Sequence, residues 1–482
     1  MPCLQKERLV VPMIDIAWST LIVITVLIFI YNIIYSLLTL LFTLASAFNL
    51  SDFVANRVHM RSLNLKDQSS YIPISILVPA YNENVTVIST IESLLSLDYP
   101  GYEIIIINDG STDDTESLII EHFGLNQVLR PIRKSVETKE LISVFENTLG
   151  KIKLTLLNKE NGGKADALNL GINASNFPLF VAVDADSRLQ VNALSRIIYH
   201  FAKNEETIVV GGNIRVGNNC ILRNGIIDKI VPSKNPLVIF QTIEYLRVFL
   251  SSRVALNLFN LNIIISGAFG VFKKSAVLEV GGYDTDTIGE DMELIMRLHE
   301  HNILKKKKYI IHYAPDAMCY TQAPENLKSL KAQRMRWHIG LMDSIIKYKH
   351  IIFNPKYKAF GFMPVSYYVF FEMGAPIVDI LGFVIIPLAF LTGYASLEFF
   401  LFYFLCFAIY NVSISFVSIC FEAYLFKAPF QTKTVIQLIF FSIVESFGYR
   451  QICSFYRIIA MVRYRKVRKT WGNIDRVKPH NT

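Results

Sequence analysis

An α/β domain set between membrane-crossing helices is the architecture this sequence predicts, on three observations. Long apolar stretches free of charge stand towards both ends of the chain. Between them, from about 72 to 345, short apolar runs alternate with polar, helix-like stretches. Of the 482 residues, 52% are hydrophobic and only 18% charged, with a mean hydropathy of +0.37. A soluble chain of this length carries more charge. The length still leaves room for one sizeable soluble domain with its own core.

The first element is the stretch 16–51, which has no charged side chain. The apolar core of a secretory signal runs to about 7–15 residues, so residues 1–51 are expected to be a retained anchor. A single span needs about 20 residues. The stretch is either one long tilted helix or a hairpin broken near Tyr31-Asn32. The middle region reads "ISILVPAY", "YEIIIIND", "KLTLLN", "FPLFVAVDAD" and "TIVVGGNIRV" in turn. Ile104–Ile107 is apolar on both faces, as in a parallel strand covered on both sides by helices. Strand, loop and helix in repetition predict a doubly wound α/β domain over 72–345. Ligands of such sheets gather at the carboxyl ends of the strands. The first four runs end there in Asn82-Glu83, Asp109, Asn158-Lys159, and Asp184 with Asp186.

Apolar character returns over 362–463. Stretches 380–397 and 399–421 are free of charge, separated by Glu398, and each is long enough to span. The stretch 434–462 is interrupted by Glu445, Arg450 and Arg457. It lies along the interface, lines a polar passage, or spans with its charges turned to protein. The segment 363–379, with Glu372 and Asp379, poses the same choice. The basic run "RYRKVRKTW" (463–471) directly follows an apolar stretch, which places it and the tail 464–482 against cytoplasmic headgroups. That orientation requires an even number of spans after the soluble domain. The run "KKKKY" (305–309) reads equally well as a solvated face. The net charge of +8 is explained without nucleic acid, and no nucleic-acid module is present. The six cysteines (3, 220, 319, 406, 420 and 453) show neither CxxC pairing nor metal-ligand spacing, so reduced packing thiols and a cytosol-facing domain are expected.

Four groups of residues have the makings of a site. Asp184 and Asp186, two apart at a strand end, can share one hard cation, Mg²⁺ or Mn²⁺, together with substrate phosphates. On its own such a pair is also an ordinary polar loop. In "NDGSTDDT" (108–115), Asp109 can accept hydrogen bonds from a uracil or ribose, and the acidic residues after it suit a helix N-terminus. In "NKENGGKADALNLG" (158–171), two glycines precede a helix that begins with Lys164. A cation there opposes the helix dipole, so an anion nearby, such as a diphosphate, would compensate. In "TDTIGEDMELIMRLH" (285–299), Thr287 and Glu290 have capping-box spacing, and Asp291 is a candidate general base. Finally, "QRMRW" (333–337) offers Arg334 and Arg336 to phosphate oxygens and Trp337 to a sugar face, or else forms an interfacial belt.

Taken together and in order, VPAYNE, NDGSTD, NGGKADALN, DADS, GED and QRMRW resemble the inverting family 2 glycosyltransferases of GT-A fold. More narrowly they resemble the membrane-embedded synthases of β-linked polysaccharides: the poly-β-1,6-N-acetylglucosamine, hyaluronan, chitin-oligosaccharide and cellulose synthases. The resemblance implies a GT-A-like nucleotide-sugar-binding domain inserted between N-terminal and C-terminal transmembrane helices. It places Pro79, Tyr81, Glu83, Asp109, Lys164, Asp184, Arg334 and Arg336 on the nucleotide-sugar. Gln333, Trp337 and Glu290 fall to the acceptor, Asp186 with Asp184 to the Mg²⁺ or Mn²⁺, and Asp291 is the catalytic base. The third acidic motif reads Gly289-Glu290-Asp291 where cellulose synthases usually show Thr-Glu-Asp, which argues mildly against cellulose. One base and no second carboxylate nucleophile imply a single, inverting displacement. The implied partners are a UDP-sugar (UDP-N-acetylglucosamine first), a growing polysaccharide, the lipid bilayer of the cell membrane and an accessory membrane protein. Two alternatives stand beside this: transfer of a single sugar to a lipid, and a transporter or scaffold that only senses nucleotide-sugars.

Overall fold

The computed structural model describes residues 3–62, 71–218, 220–223, 226–230, 233–393, 396–426 and 432–467. Its strands are β1 (Ile74–Ala80), β2 (Tyr102–Asn108), β3 (Asn126–Gln127), β4 (Leu141–Leu149), β5 (Ile152–Lys159), β6 (Leu179–Ala182), β7 (Arg188–Leu189), β8 (Thr207–Val216), β9 (Cys220–Arg223), β10 (Ile226–Ile230), β11 (Gly270–Lys273) and β12 (Ile310–Thr321). All five apolar runs of the middle region are strands. Ten of the strands form one sheet in the order β3-β4-β5-β2-β1-β6-β11-β8-β12-β7, with β9 and β10 a separate hairpin. The alternation of side chains along a strand sorts the core into two layers. Ile76, Val78, Ile104 and Ile106 join one buried cluster, while Leu77, Ile105 and Ile107 join the other on the opposite face.

The sheet is mixed rather than wholly parallel. β5, β2, β1 and β6 run parallel to one another, as the strand–helix alternation predicts. β11 then enters antiparallel between β6 and β8. Glycines mark this seam: a Cβ at Gly211 or Gly270 would fall 2.6 or 2.9 Å from Ile265, which fills the space they leave. Apolar runs look alike in either direction, so direction was not written in the pattern.

Flanking the domain, Cys3–Ser62 is one continuous helix that takes in the whole of 16–51. Among the described residues, three segments are long and apolar enough to cross a membrane: Ser19–Leu50, Pro364–Leu391 and Leu397–Ala423. The segment 363–379 opens the second of these. The stretch 434–462 is two helices, Thr432–Val444 and Tyr449–Val467, parted at Gly448, whose φ of +137° suits glycine. Glu445 at this break accepts from Arg247 and Arg450, so its charge faces protein. The four lysines 305–308 lie exposed on a turn after helix Glu290–Leu304, on a solvated face. Most of the basic tail, 468–482, lies outside the described residues.

Candidate active site

Parallel register brings the chemistry together. Ala80, Asn108 and Asn158 are successive partners across β1, β2 and β5, so the loops that follow them leave the sheet side by side. Asp109, the first residue beyond β2, is buried. Its Oδ1 accepts from Lys159 Nζ at 2.6 Å and the Gly162 N–H at 3.0 Å, and its Oδ2 from the Gly163 N–H at 2.8 Å. Burial pushes the Asp109 carboxyl up, against the pull of Lys159 and the two N–H groups. Lys159 is itself fully buried and also meets Asp166 at 2.6 Å. Glycine is required at 110, where φ is +69° and a Cβ would touch the Asn161 backbone at 3.0 Å. Glu83 braces the β1 loop against the β2 loop: its N–H donates to Thr115 Oγ1 at 3.0 Å and its carboxylate accepts from Thr86. Pro79 is the next-to-last residue of β1, and Tyr81 stands half exposed just beyond the strand end.

The Gly162-Gly163 turn delivers Lys164 into the acidic cluster. Lys164 Nζ lies 2.6 Å from Asp184 and 3.4 Å from Glu290. Burial disfavours its charge, but Asp184, Glu290 and Asp291 outweigh that and hold its pKa above the ordinary lysine value. The compensating anions for a cation at this helix N-terminus are thus carboxylates of the site itself. Asp291 Oδ2 accepts from the Gly267 N–H at 3.1 Å. A Cβ on Gly267 would sit 3.1 Å from Lys164 Nζ and 3.6 Å from Asp291, so residue 267 stays small to let the two meet. Burial raises the Glu290 carboxyl against the opposing pull of Lys164. Thr287 does not cap this helix. Gly289 is its N-cap, and Glu290 turns inward to Lys164 instead of closing a capping box.

Asp186 is buried beyond β6, with Ser187 Oγ 3.3 Å from its carboxylate. The donors near the pair are hard oxygens. Cys319, close enough to feel both aspartates, is pushed up first by burial and then by their charge, so it stays a thiol. Among the described residues no group of three or more His, Cys, Asp or Glu forms a metal cage. Two carboxylates without a cage suit Mg²⁺ or Mn²⁺, which complete their shells with phosphate and water.

The QRMRW motif lies on helix Leu327–Lys347. Gln333 is buried, and its side-chain carbonyl has no hydrogen-bond partner. Such an atom is an acceptor open to a ligand hydroxyl. Arg336 is half buried and close enough to Glu290 and Tyr245 to act on both. Trp337 is 41% exposed. Arg334 is placed differently from its neighbours. At 1% exposure it pairs with both oxygens of Glu244, at 2.6 and 2.8 Å, and so is committed to protein. A cavity of about 240 Å³ within the membrane helices is lined by Glu244 together with Glu372, Asp379, Glu445 and Arg450. Asp166, Gly267 and Glu244 are thus site residues that the sequence pattern did not single out, and Lys159, which it placed at a strand end, is the buried partner of Asp109. Lys159 and Asp166 flank the glycine pair, and their opposite charges were the available signal.

The fold and site are GT-A-like, and two glycosyltransferase family models match: residues 75–280 match the model described as glycosyl transferase family 2, and residues 179–417 that of glycosyl transferase family group 2. Within that class the chain resembles poly-β-1,6-N-acetyl-D-glucosamine synthases. It is 33% identical over 296 residues to that of Staphylococcus epidermidis, covering 61% of each chain. It is 34% identical over 274 residues to that of Staphylococcus aureus, covering 57% of this chain and 56% of the relative. The match therefore spans about three fifths of these relatives' length. A solved mannosyltransferase from Pyrobaculum calidifontis, in complex with GDP-Man and Mn²⁺, overlays 86% of this chain and 99% of its own at 17% identity and a TM-score of 0.48.

Proposed function

We propose that this protein polymerises a β-linked polysaccharide from a UDP-sugar, UDP-N-acetylglucosamine first, and passes the growing chain through its membrane helices. The observation that carries the reading is continuity of contacts. Lys164, Asp184, Glu290 and Asp291 converge at the strand ends. Arg336 acts on Glu290, Trp337 follows it on the same helix, and Glu244, joined to Arg334 of that helix, lines the cavity. The names of the relatives support the sugar and linkage.

In this reading the diphosphate lies over the Gly162-Gly163 turn, within reach of Lys164 and Arg336. Asp186 and Asp184 would hold a Mg²⁺ or Mn²⁺, which supplies charge neutralisation for the departing diphosphate. Lys164 exchanges Asp184 for a phosphate oxygen as donor binds. Asp291, fixed by the Gly267 N–H and by the Met292 N–H at 2.7 Å, takes the proton of the attacking acceptor hydroxyl. Gln333 and Trp337 present that hydroxyl. A single displacement by one base inverts the anomeric centre. The catalytic domain faces the cytosol of the cell membrane, where UDP-sugars are available.

The test is to incubate the purified protein with UDP-sugars and Mg²⁺ or Mn²⁺, measure UDP release, and size the product. Asp291→Asn should bind UDP normally and lose about 10²–10⁴-fold in turnover. Full turnover in that variant would refute the base assignment. A lone glycolipid product would replace polymerisation by single transfer, and UDP-sugar binding without transfer would leave only a sensor. Chelation should abolish turnover, with excess Mn²⁺ restoring it.

A further inference from the structure

The helix Pro236–Arg247 packs against both strand β8 and the membrane helix Leu397–Phe426, and its last turn is bolted at both ends. Glu244 takes both terminal nitrogens of Arg334, at 2.6 and 2.8 Å. The Tyr449 hydroxyl completes a closed triad, 3.0 Å from Glu244 and 3.1 Å from Arg334. One turn on, Arg247 grips Glu445 at 2.5 and 3.0 Å. Between the two bolts, Tyr245 packs against Trp337 with ring centroids 6.3 Å apart. The Arg334 guanidinium lies 4.7 Å from the centre of the same indole, so Trp337 is held by both a cation and an aromatic ring. Burial alone would lift the Glu244 carboxyl, but Arg334 and Arg457 outweigh it and keep it below the ordinary glutamate range.

We infer that Glu244, Arg334 and Tyr449 form a positioning latch that seats Trp337, the candidate sugar platform, at the entrance of the membrane cavity, so that the latch governs acceptor binding and product length rather than donor binding. The inference rests on the reading of the site as a polymerising glycosyltransferase. Three features carry it. Arg334 has both terminal nitrogens engaged and is buried, so it serves another side chain and not a phosphate. Trp337 is exposed, while Arg334, Tyr245 and Tyr449 around it are buried and Glu244 is only partly exposed. Glu244 belongs at once to the latch and to the cavity wall. A bidentate arginine–carboxylate pair fixes direction as well as distance, which a platform for a flat sugar face requires.

The experiment uses the full chain in nanodiscs with Mn²⁺, a UDP-sugar and a soluble β-linked amino-sugar oligosaccharide as acceptor. For Glu244→Gln and Arg334→Met, UDP affinity should stay within about two-fold of wild type, the acceptor KM should rise about ten-fold, and products should shorten. Because both partners act as one unit, the double variant should be no worse than either single one. Tyr449→Phe, which removes only a hydroxyl, should raise the acceptor KM about three-fold and decides the matter if the ionic variants fail to fold. An unchanged acceptor KM, or a parallel fall in UDP affinity, overturns the latch. If wild type itself transfers no sugar, the underlying reading falls with it. Normal wild-type transfer with indifferent variants sinks the latch alone.

Discussion

At the scale of single residues, burial decides which charges serve chemistry and which serve shape. Lys159 has no exposure and lies between Asp109 and Asp166, each at 2.6 Å. Removing one partner from such a group strands the others in a poor dielectric. Lys159→Met is therefore expected to cost about 3–5 kcal/mol, read from denaturant unfolding, and to weaken UDP binding through the Gly162-Gly163 turn. Unchanged stability would show the triad to be dispensable. The sequence displayed Asp109 and Lys164 as chemical residues because each follows a strand or a glycine pair. It placed Lys159 at a strand end but hid its burial, since nothing in the pattern announces that a lysine closing a strand points inward. The same holds for His299, which is buried with Nε2 2.9 Å from the Asn262 carbonyl and Nδ1 2.8 Å from the Tyr309 hydroxyl. Nε2 donates and Nδ1 accepts, so the native ring is neutral. Burial lowers its pKa to about 4. The unfolded chain takes up this proton below about 6.5 and the native chain only below about 4, so stability is full above 6.5 and is lost as pH falls through that window, by about 1.4 kcal/mol per unit. Thermal unfolding at pH 7 and pH 5 should show the loss, and His299→Gln should flatten it.

At the scale of elements, the sequence revealed strands, helices and apolar segments but not how they cross. The stretch 434–462 left three placements open, and only the turn at Gly448 separates its two helices. The Gly289-Glu290-Asp291 motif shows the limit most clearly. Its glycine looked like a mere departure from a threonine, yet a Cβ there would lie 2.7 Å from Gly340 Cα, and a Cβ at 340 would lie 2.8 Å from Gly289 Cα. Two bare backbones touch, and this contact sets the QRMRW helix against the acidic cluster. No local pattern announces a pair of glycines 51 residues apart. Neither contact involves the tip of a flexible side chain, so the helices must move to accept a methyl group. Gly340→Ala should cost about 1–3 kcal/mol and lower turnover at saturating donor, because it shifts Trp337 and Arg336 away from Asp291. Donor affinity should change less than turnover. Wild-type turnover in Gly340→Ala would mean that the helix spacing is not what sets the geometry.

Over the whole molecule, the arrangement makes sense if synthesis and export share one axis. Acidic and basic side chains within apolar helices are costly and persist where they face protein or a polar passage. Glu372, Asp379, Glu445 and Arg450 all line one cavity, with Tyr31, Tyr35 and Tyr410 among the rings around it. A polar wall interleaved with aromatic faces suits a carbohydrate, whose hydroxyls need partners and whose CH faces stack on rings. The N-terminal helix supplies one side of this wall through Ser36, while the next residue, Leu37, is 55% exposed towards the surroundings. These adjacent residues permit a paired test. Ser36→Trp places an indole in the cavity and should leave the first sugar additions near wild-type rate while truncating the product to short oligosaccharides. Leu37→Trp adds the same bulk to the outer face and should leave product length unchanged. A channel requires that the two differ, since donor chemistry lies outside the membrane helices in both. Equal, full-length polymer from Ser36→Trp would mean that the chain leaves by another route, and equal truncation in both variants would point to helix packing rather than passage.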